Sequence, residues 1–548
     1  MELHDENPFK VRSLSIAIFN LRRVTTPLAR MPLQVLQELE GVGKSFAVAI
    51  DEVNRTGKLE RLEKLRSQTP PGVAELAFIK GVGAKKAAAL WRELGIVGTE
   101  DALEACRAGR VAAIKGLGEK TQQNILDAIL TYRANRGKFL YADAEPFVEY
   151  LLGEFKSKLP GLKVSVAGDF RRGIEIVDQL DFVAEEPRPR DRRQFLHEVK
   201  QVTVQEDGGP RLTRGEFLGG PGFSVAWTSG DRFGSELVRR TGAVAHLAQT
   251  TPGGSLRQAV EETNFATEED AYRALQLPLL PPELREGLYE KEGIDPAGLI
   301  SFGDLRGCLH NHSTWSDGIH TIEEMAVACR GRGWEYFGIC DHSKAAVYAN
   351  GMDEARVREQ WKEIDSLNKK LSPFRIFKGI EADILDDGSL DLGDALLAQF
   401  DFVVASIHSG LGMDRERATR RLIKAISNPV TSMVGHVTGR LLLDRDGYPV
   451  DMPAVIDACA QHEVILEINA HPSRLDLDWR WVRHTIRSGV MLSINPDAHQ
   501  IAGIDMMRYG VITGRKGGLS KDFTLNTKSA RQLESYFLER KRRKAVNR

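Results

Sequence analysis

The chain has 548 residues, 42% of them hydrophobic and 28% charged, an ordinary globular composition with core material for roughly 3–4 domains. Its 75 basic and 76 acidic residues leave a net charge of −1, which excludes a global positive field as the means of attracting a polyanion; such binding must come from local patches. Five cysteines (Cys106, Cys308, Cys329, Cys340, Cys459) form no CxxC pair, which excludes a disulfide framework and points to a reducing compartment. The first residues are polar and acidic, and no apolar run approaches the ~18–20 residues of a membrane span. The expectation is a cytoplasmic protein with no signal peptide and no membrane partner.

The first predicted elements are helices joined by glycine corners. The pattern reads Gly41-Val42-Gly43-Lys44, then Gly81-Val82-Gly83-Ala84-Lys85, then Gly116-Leu117-Gly118-Glu119-Lys120. Helical periodicity flanks each copy, as in Ala87, Ala88, Leu90, Trp91 and Leu94. Paired glycines allow a tight turn and let N–H groups at the next helix's start approach a phosphate oxygen. Lys44, Lys85 and Lys120 can add charge there. Such contacts hold a DNA backbone without reading its sequence. One copy alone could be a plain helix–glycine–helix corner; three with basic flanks favour DNA. The copies resemble the helix-hairpin-helix motifs of family X DNA polymerases, which implies a lyase-like helical domain at 1–85 and a fingers-like domain at 86–140. In relatives with 5′-deoxyribose-phosphate lyase activity a lysine in the helix after the first hairpin forms a Schiff base. Aligning Gly41-Val42-Gly43 and Thr56-Gly57-Lys58-Leu59 puts Ala49 there, and alanine has no amine. Lyase activity is not expected unless Lys44 or Lys58 substitutes.

The run Val164-Ser165-Val166-Ala167-Gly168-Asp169-Phe170-Arg171-Arg172-Gly173 reads as a strand and turn and resembles the palm of the same family. This implies a nucleotidyltransferase palm at 141–245 and a thumb-like domain at 246–295. In that family a Gly-Ser pair and an arginine hold the incoming triphosphate, and three Asp bind catalytic Mg. Here Asp169 stands at the serine, Gln179 at the first Asp, Asp181 at the second and Ser224 at the third. Arg239 and Arg240 replace the Tyr-Phe pair that packs on the nucleotide sugar. Asp178 falls on the opposite strand face. Two-metal phosphoryl transfer needs carboxylates around both ions, and one Asp of three is a poor cage for a hard dication. The expectation is a DNA-holding palm remnant, marked by Gly168, Arg171, Asp178 and Asp181, with weak or absent polymerase activity. The alternative is a gap-filling polymerase using Mg²⁺ or Mn²⁺ with Asp178 or Glu175 as rearranged ligand; only that reading adds dNTP as a ligand.

From residue 296 apolar strand-like runs (Gly338–Cys340, Phe402–Ile407, Val464–Ile468, Met491–Ile494) alternate with amphipathic helices, implying βα units around a parallel sheet or barrel. Histidines and carboxylates follow these runs: His310-Asn311-His312, Asp341-His342, Glu381, His408, His436 and Asp497-Ala498-His499. Strand ends are where (β/α) barrels assemble sites. Residues two apart face one side of a strand, so His310 with His312, and Asp497 with His499, should each offer two donors to one centre. Nitrogen and oxygen donors without clustered cysteine suit Zn or Mn in a hydrolytic site. Such a centre acidifies water, clamps a phosphate oxygen and stabilises a leaving alkoxide. The motifs over about 304–500 resemble the PHP (polymerase and histidinol phosphatase) domain. The resemblance implies a (β/α)₇ barrel at 296–548 and up to three Mn²⁺ or Zn²⁺ ions. Their ligands would be His310, His312, Asp317, His342, Glu381 (bridging), His408, His436, Asp497 and His499, with His310, His312, Glu381 and Asp497 as the catalytic set. Cys308 and His471 stand where relatives carry an acid and an asparagine. Asp383, Asp386 and Asp387 read as loop acids, and the run Arg540-Lys541-Arg542-Arg543-Lys544 as a solvated, mobile end.

Over nearly its whole length the chain resembles a bacterial family X DNA polymerase with a fused PHP domain. The expected fold is multidomain: helical helix-hairpin-helix domains, an α+β nucleotidyltransferase palm, a small thumb, then a (β/α)₇ PHP barrel. The expected function is DNA repair by Mn-dependent 3′-5′ nucleotide removal from gapped, nicked or 3′-recessed DNA, by a nucleoid-associated monomer. A non-catalytic DNA-binding scaffold and a small-molecule phosphatase are the rival readings.

Overall fold

The computed structural model describes residues 1–4, 6–21, 27–39, 41–186, 195–205, 211–290 and 292–546; Glu40, in the first glycine corner, lies outside them. The chain forms two compact units, 1–136 and 137–548.

The first unit is helical. Helices α1 (Lys44–Thr56), α2 (Gly83–Leu94) and α3 (Glu119–Asn135) each follow a glycine corner. Gly41, Gly81 and Gly116 have φ of 75°, 91° and 90°, a left-handed conformation that side chains other than glycine's resist. Between the paired glycines, Val42 and Val82 are buried and plug the corners into the core. The second and third corners share one apolar cluster with Leu90, Leu103, Ile125 and Ile129. The first packs in a separate small one around Leu36 and Ala47.

The second unit begins with a mixed α/β region. Strands β1 (Val164–Ala167), β2 (Gln179–Glu185), β3 (Val202–Gln205), β4 (Leu212–Phe217) and β5 (Gly222–Thr228) form a sheet ordered β1-β2-β5-β4-β3. Strands β2 and β5 are parallel, with Asp181 beside Ser224. One face packs Leu180, Phe182, Phe223 and Trp227 into an aromatic-rich core; Ala167 and Val183 pack against Phe233 and Leu237 of helix α4 (Phe233–Thr241).

Short helices Val244–Leu247, Leu256–Glu262 and Glu268–Ala274 pack with α4 around Leu256, Val260 and Tyr272, and from Gly307 the chain forms a (β/α)₇ barrel. Strands β6 (Gly307–Cys308), β7 (Tyr336–Ile339), β8 (Arg375–Asp383), β9 (Phe402–Ser406), β10 (Met433–Val434), β11 (Ile465–Asn469) and β12 (Leu492–Asn495) pair in chain order, all parallel. Among the described residues β12 and β6 are joined by one bridge, Asn311 to Ala498, by Leu309 N donating to Asn495 Oδ1 at 3.1 Å, and by the buried Asn526 side chain. That amide accepts from Ile494 N (2.7 Å) and donates to Ile494 O (2.8 Å) and Gly307 O (3.0 Å), replacing a strand ladder with one side chain. Five barrel helices start on side-chain caps: Thr321, Asp353, Asp414, Asp451 and Asp478 each accept from a backbone N–H, satisfying otherwise orphaned donors.

The basic end departs from expectation. The last helix (Ala530–Val546) carries the run, and its Leu533 and Phe537 pack with Phe377 and Phe402. Arg540 is 2% exposed and donates to Glu463 O and Thr431 O, and Lys541 donates to Phe400 O. The start of the charge run therefore ties the helix to barrel carbonyls, because a helix that buries Leu533 and Phe537 also buries the turn that follows.

Candidate metal centre

Parallel strands bring all their carboxyl ends to one mouth, and the nine predicted ligands gather there. Strand alternation does not align the two pairs as expected. Strand β6 ends at Cys308 and β12 at Asn495, so His310, His312, Asp497 and His499 all lie in loops. The Asn311–Ala498 bridge holds those loops side by side, and Asp497 turns inward at a φ of 51°. His436 also has a positive φ, 25°; strained backbone of this kind persists where surrounding structure over-determines it, commonly at functional sites. His312 Nε2 lies 3.1 Å from Asp497 Oδ1, and the His312 and His499 rings stack at 4.1 Å.

Glu381, 1% exposed, stands at the centre. Its Oε2 lies 3.0 Å from His342 Nδ1, 3.4 Å from His310 Nε2 and 3.6 Å from His312 Nε2. Its Oε1 lies 3.0 Å from His436 Nε2 and 3.3 Å from His408 Nε2. Asp317 Oδ1 lies 3.4 Å from His499 Nε2 and 3.8 Å from His342 Nε2. Among the described residues the donors form three overlapping sets: His312, Asp317, His342 and His499; His310, His312 and Asp497; His342, Glu381 and His408. Burial opposes the charge on Glu381 and Asp497, yet surrounding histidines hold both carboxyls well below their ordinary range. Burial and the nearby His499 and His342 push His312 down to about 3.

The donor set fits divalent cations. Among the described residues, five buried atoms of the cluster, His310 Nε2, His312 Nδ1, His342 Nδ1, Glu381 Oε2 and His436 Nδ1, have no hydrogen-bond partner of adequate geometry. Buried polar atoms are rarely left so, and converging lone pairs of imidazole and carboxylate are what Zn or Mn binds.

Sequence reasoning missed the residues that hold these ligands. Glu467, fully buried on β11, accepts from His310 Nδ1 at 2.7 Å and from His436 N at 2.8 Å. The first contact puts the proton on Nδ1 and leaves His310 Nε2 to the centre. The signal was an acid inside the apolar run Val464–Ile468, since a buried charge demands partners. Asp341 accepts from Ser313 N, Ser313 Oγ, Ser316 N, Ser316 Oγ and Gln360 Nε2, anchoring the loop that carries His312 and Asp317. Asp383 is no loop acid: it ends β8, is buried, and pairs with His408 Nδ1. Asp386 and Asp387 are exposed and ion-paired with Arg417 and Lys424. Arg474 reaches to 3.6 Å from Asp497 Oδ2. His471 Nδ1 accepts from Ser473 Oγ at 2.8 Å, and Cys308 is buried against Asn311.

In the palm sheet, neutral donors stand around the remaining carboxylate. Gln179 Nε2 (2.8 Å) and Ser224 Oγ (2.6 Å) both donate to Asp181 Oδ1. Gly168 fits closely under it, since a Cβ there would meet Asp181 Oδ2 at 2.6 Å. Arg171 grips Glu268 through both Nη atoms, at 2.9 and 2.6 Å. Arg172 pairs with Asp169 at 2.5 Å. Asp178 is exposed. Glu175 is buried and accepts from Trp479 Nε1 (3.2 Å) and Arg480 Nη1 (3.0 Å), both on a barrel helix. At the glycine corners, helices α1, α2 and α3 start without any side-chain cap, unlike the five barrel helices, and Lys44, Lys85 and Lys120 are exposed beside those free helix starts. Gly43 and Gly118 are the N-caps of α1 and α3, and Gly83 is the first residue of α2.

Comparison with known proteins agrees with this geometry. The PHP domain family matches residues 309–471, and the SAM-like helix-hairpin-helix tandem family matches residues 73–129. Fold and site thus define a PHP-barrel protein joined to a helix-hairpin-helix module. DNA polymerase/3′-5′ exonuclease PolX of Bacillus subtilis (strain 168) is 34% identical over 98% of this chain and 96% of its own length. The chain belongs to the PolX family. Probable phosphatases of Thermoanaerobacter sp. (strain X514) and Tolumonas auensis are 26% and 27% identical, covering 43% and 35% of this chain and 95% and 76% of theirs. No described helix is long and apolar enough to cross a membrane.

Proposed function

We propose that this protein is a DNA-repair enzyme of the cytoplasm whose barrel hydrolyses DNA phosphodiesters from 3′ ends. The observation that carries the reading is the largely buried cluster of nitrogen and oxygen donors gathered at Glu381, in which five buried atoms lack a hydrogen-bond partner among the described residues. His310, His312, Asp317, His342, Glu381, His408, His436, Asp497 and His499 would hold up to three divalent ions, Mn²⁺ or Zn²⁺. Bound there, such ions acidify water and neutralise charge on a phosphate. Glu467 and Asp383 keep His310 and His408 turned to the centre. Arg474, at the cluster's edge, is placed to take a phosphate oxygen in a charge-assisted bond.

In this reading the uncapped helix starts at Gly43, Gly83 and Gly118, with Lys44, Lys85 and Lys120, bind the backbone of gapped, nicked or 3′-recessed DNA. The palm serves as a scaffold with weak or no synthesis. Asp181 is engaged by neutral donors, Arg171 by Glu268, and Glu175 by the barrel. The rival reading, gap filling, draws on the relative's printed name.

Assaying nucleotide removal and primer extension side by side on one gapped DNA, with Mg²⁺ and then Mn²⁺, tests the proposal. Removal should require added Mn²⁺, vanish in His310→Ala and survive in Asp181→Ala. Extension that is lost in Asp181→Ala and kept in His310→Ala would establish the rival instead.

A further inference from the structure

Two large apolar side chains stand uncovered at the mouth of the metal centre. Val347 is 81% exposed and Tyr348 72%. They lie on a 3-10 turn, Val347–Ala349, just beyond the ligand His342. The Tyr348 ring stands 6.1 Å from the His342 ring and 6.4 Å from the His408 ring. Among the described residues it is the only ring other than histidine in contact with the ligand rings.

The segment beneath them is fastened. Ala346 and Ala349 are buried. Ser343 Oγ and Ala345 N both donate to the Asp391 carboxylate at 2.8 Å. Met352 N donates to His342 O at 2.8 Å, and Arg356 Nη1 to Asn350 O at 2.7 Å. A Cβ at Gly351 would lie 1.9 Å from Ser343 O, so the loop closes as tightly as its backbone allows. Lone exposed apolar residues are ordinary. Tyr348 differs, because a fastened turn holds its exposed ring beside two of the histidines of the cluster, with exposed Val347 next to it.

We propose that Tyr348 is a stacking platform for the nucleobase of the terminal nucleotide, with Val347 extending the apolar surface beside it. This rests on the reading of the barrel as a phosphodiesterase and names the substrate more closely. The substrate would be a 3′-terminal nucleotide whose base has left its partner, since enzymes that work at a base take it from a single strand or draw it out of the stack. Stacking tolerates every base, which suits a protein whose other contacts read no sequence.

The test uses the full-length protein and its Tyr348→Ala and Tyr348→Phe variants on a single-stranded oligonucleotide ending in adenine, and on the same strand ending in an abasic sugar. Tyr348→Ala should raise KM for the adenine end about tenfold with little change in kcat, and cost far less on the abasic end. Tyr348→Phe should behave as the parent. Binding is read separately with 2-aminopurine at a 3′ end protected by a phosphorothioate linkage. Its fluorescence should be quenched by the parent and by Tyr348→Phe, and released in Tyr348→Ala. Quenching that persists in Tyr348→Ala, or equal losses on both ends, overturns the platform. Quenching of the protected strand by the parent, with no cutting of the unprotected strand in Mn²⁺, would leave the platform standing and remove the hydrolytic reading instead.

Discussion

Replacing Glu467 by Gln removes a charge at the floor of the metal centre while keeping shape and volume. Each carboxylate oxygen receives two donors: His310 Nδ1 (2.7 Å) and Asn495 Nδ2 (3.1 Å) on Oε1, His436 N (2.8 Å) and Asn469 Nδ2 (3.3 Å) on Oε2. A glutamine amide supplies one acceptor oxygen and turns N–H toward the other pair of donors. Either the His310 ring or the His436 backbone then loses its acceptor, and one unmatched buried donor costs about 1–3 kcal/mol. Removing the orienting partner of a ligand histidine commonly lowers metal affinity 10–100-fold, which is about 1.4–2.7 kcal/mol, so the two routes agree. Because His310 is held in place by Glu467, Glu467→Gln should bind Mn²⁺ 10–100-fold more weakly by chelator competition, and saturating Mn²⁺ should restore most activity. Glu467→Ala, which leaves both donor pairs bare, should lose more and recover less. An affinity within about twofold of the parent would refute the orienting role.

Asn526→Leu should destabilise the chain by about 2–4 kcal/mol, because Ile494 N, Ile494 O and Gly307 O lose their partner in a buried seam; a urea midpoint unchanged from the parent would show that the barrel closes without it. Burial opposes the charge of Glu268, but the guanidinium groups of Arg171 and Arg285 hold its pKa below the ordinary value. Its stabilisation is therefore complete above the unfolded pKa of about 4.3 and is lost as pH falls through the lower folded value. Parent and Glu268→Gln should differ in urea midpoint at pH 7 and converge in acid; a difference constant with pH would contradict this. Gln179→Asp with Ser224→Asp replaces both neutral donors on Asp181 by carboxylates and should raise Mn²⁺-dependent primer extension well above the parent. No gain would mean that the ion pairs of Arg171 and Arg172 with Glu268 and Asp169, not the missing acids, limit the palm.

Much was legible because it depends on short-range chemistry. Three Gly-x-Gly corners announced tight turns before helices, since few other residues accept φ near 90°. The apolar runs at 338–340, 402–407, 464–468 and 491–494 announced strands, and the ordered histidines and acids after them announced a donor cluster compatible with divalent metal. What sequence order could not decide was which groups meet across the barrel. Glu467 faces His310 from 157 positions away, Asp383 reads as a loop acid until β8 is seen to run through it, and His310 and His312 align through a bridge to Ala498 and not through a strand. The basic end looked solvated until Leu533 and Phe537 found the barrel. Local propensity follows from neighbours in the chain; partners for buried charge are chosen by closure of the barrel, and only the folded chain brings them within hydrogen-bonding range.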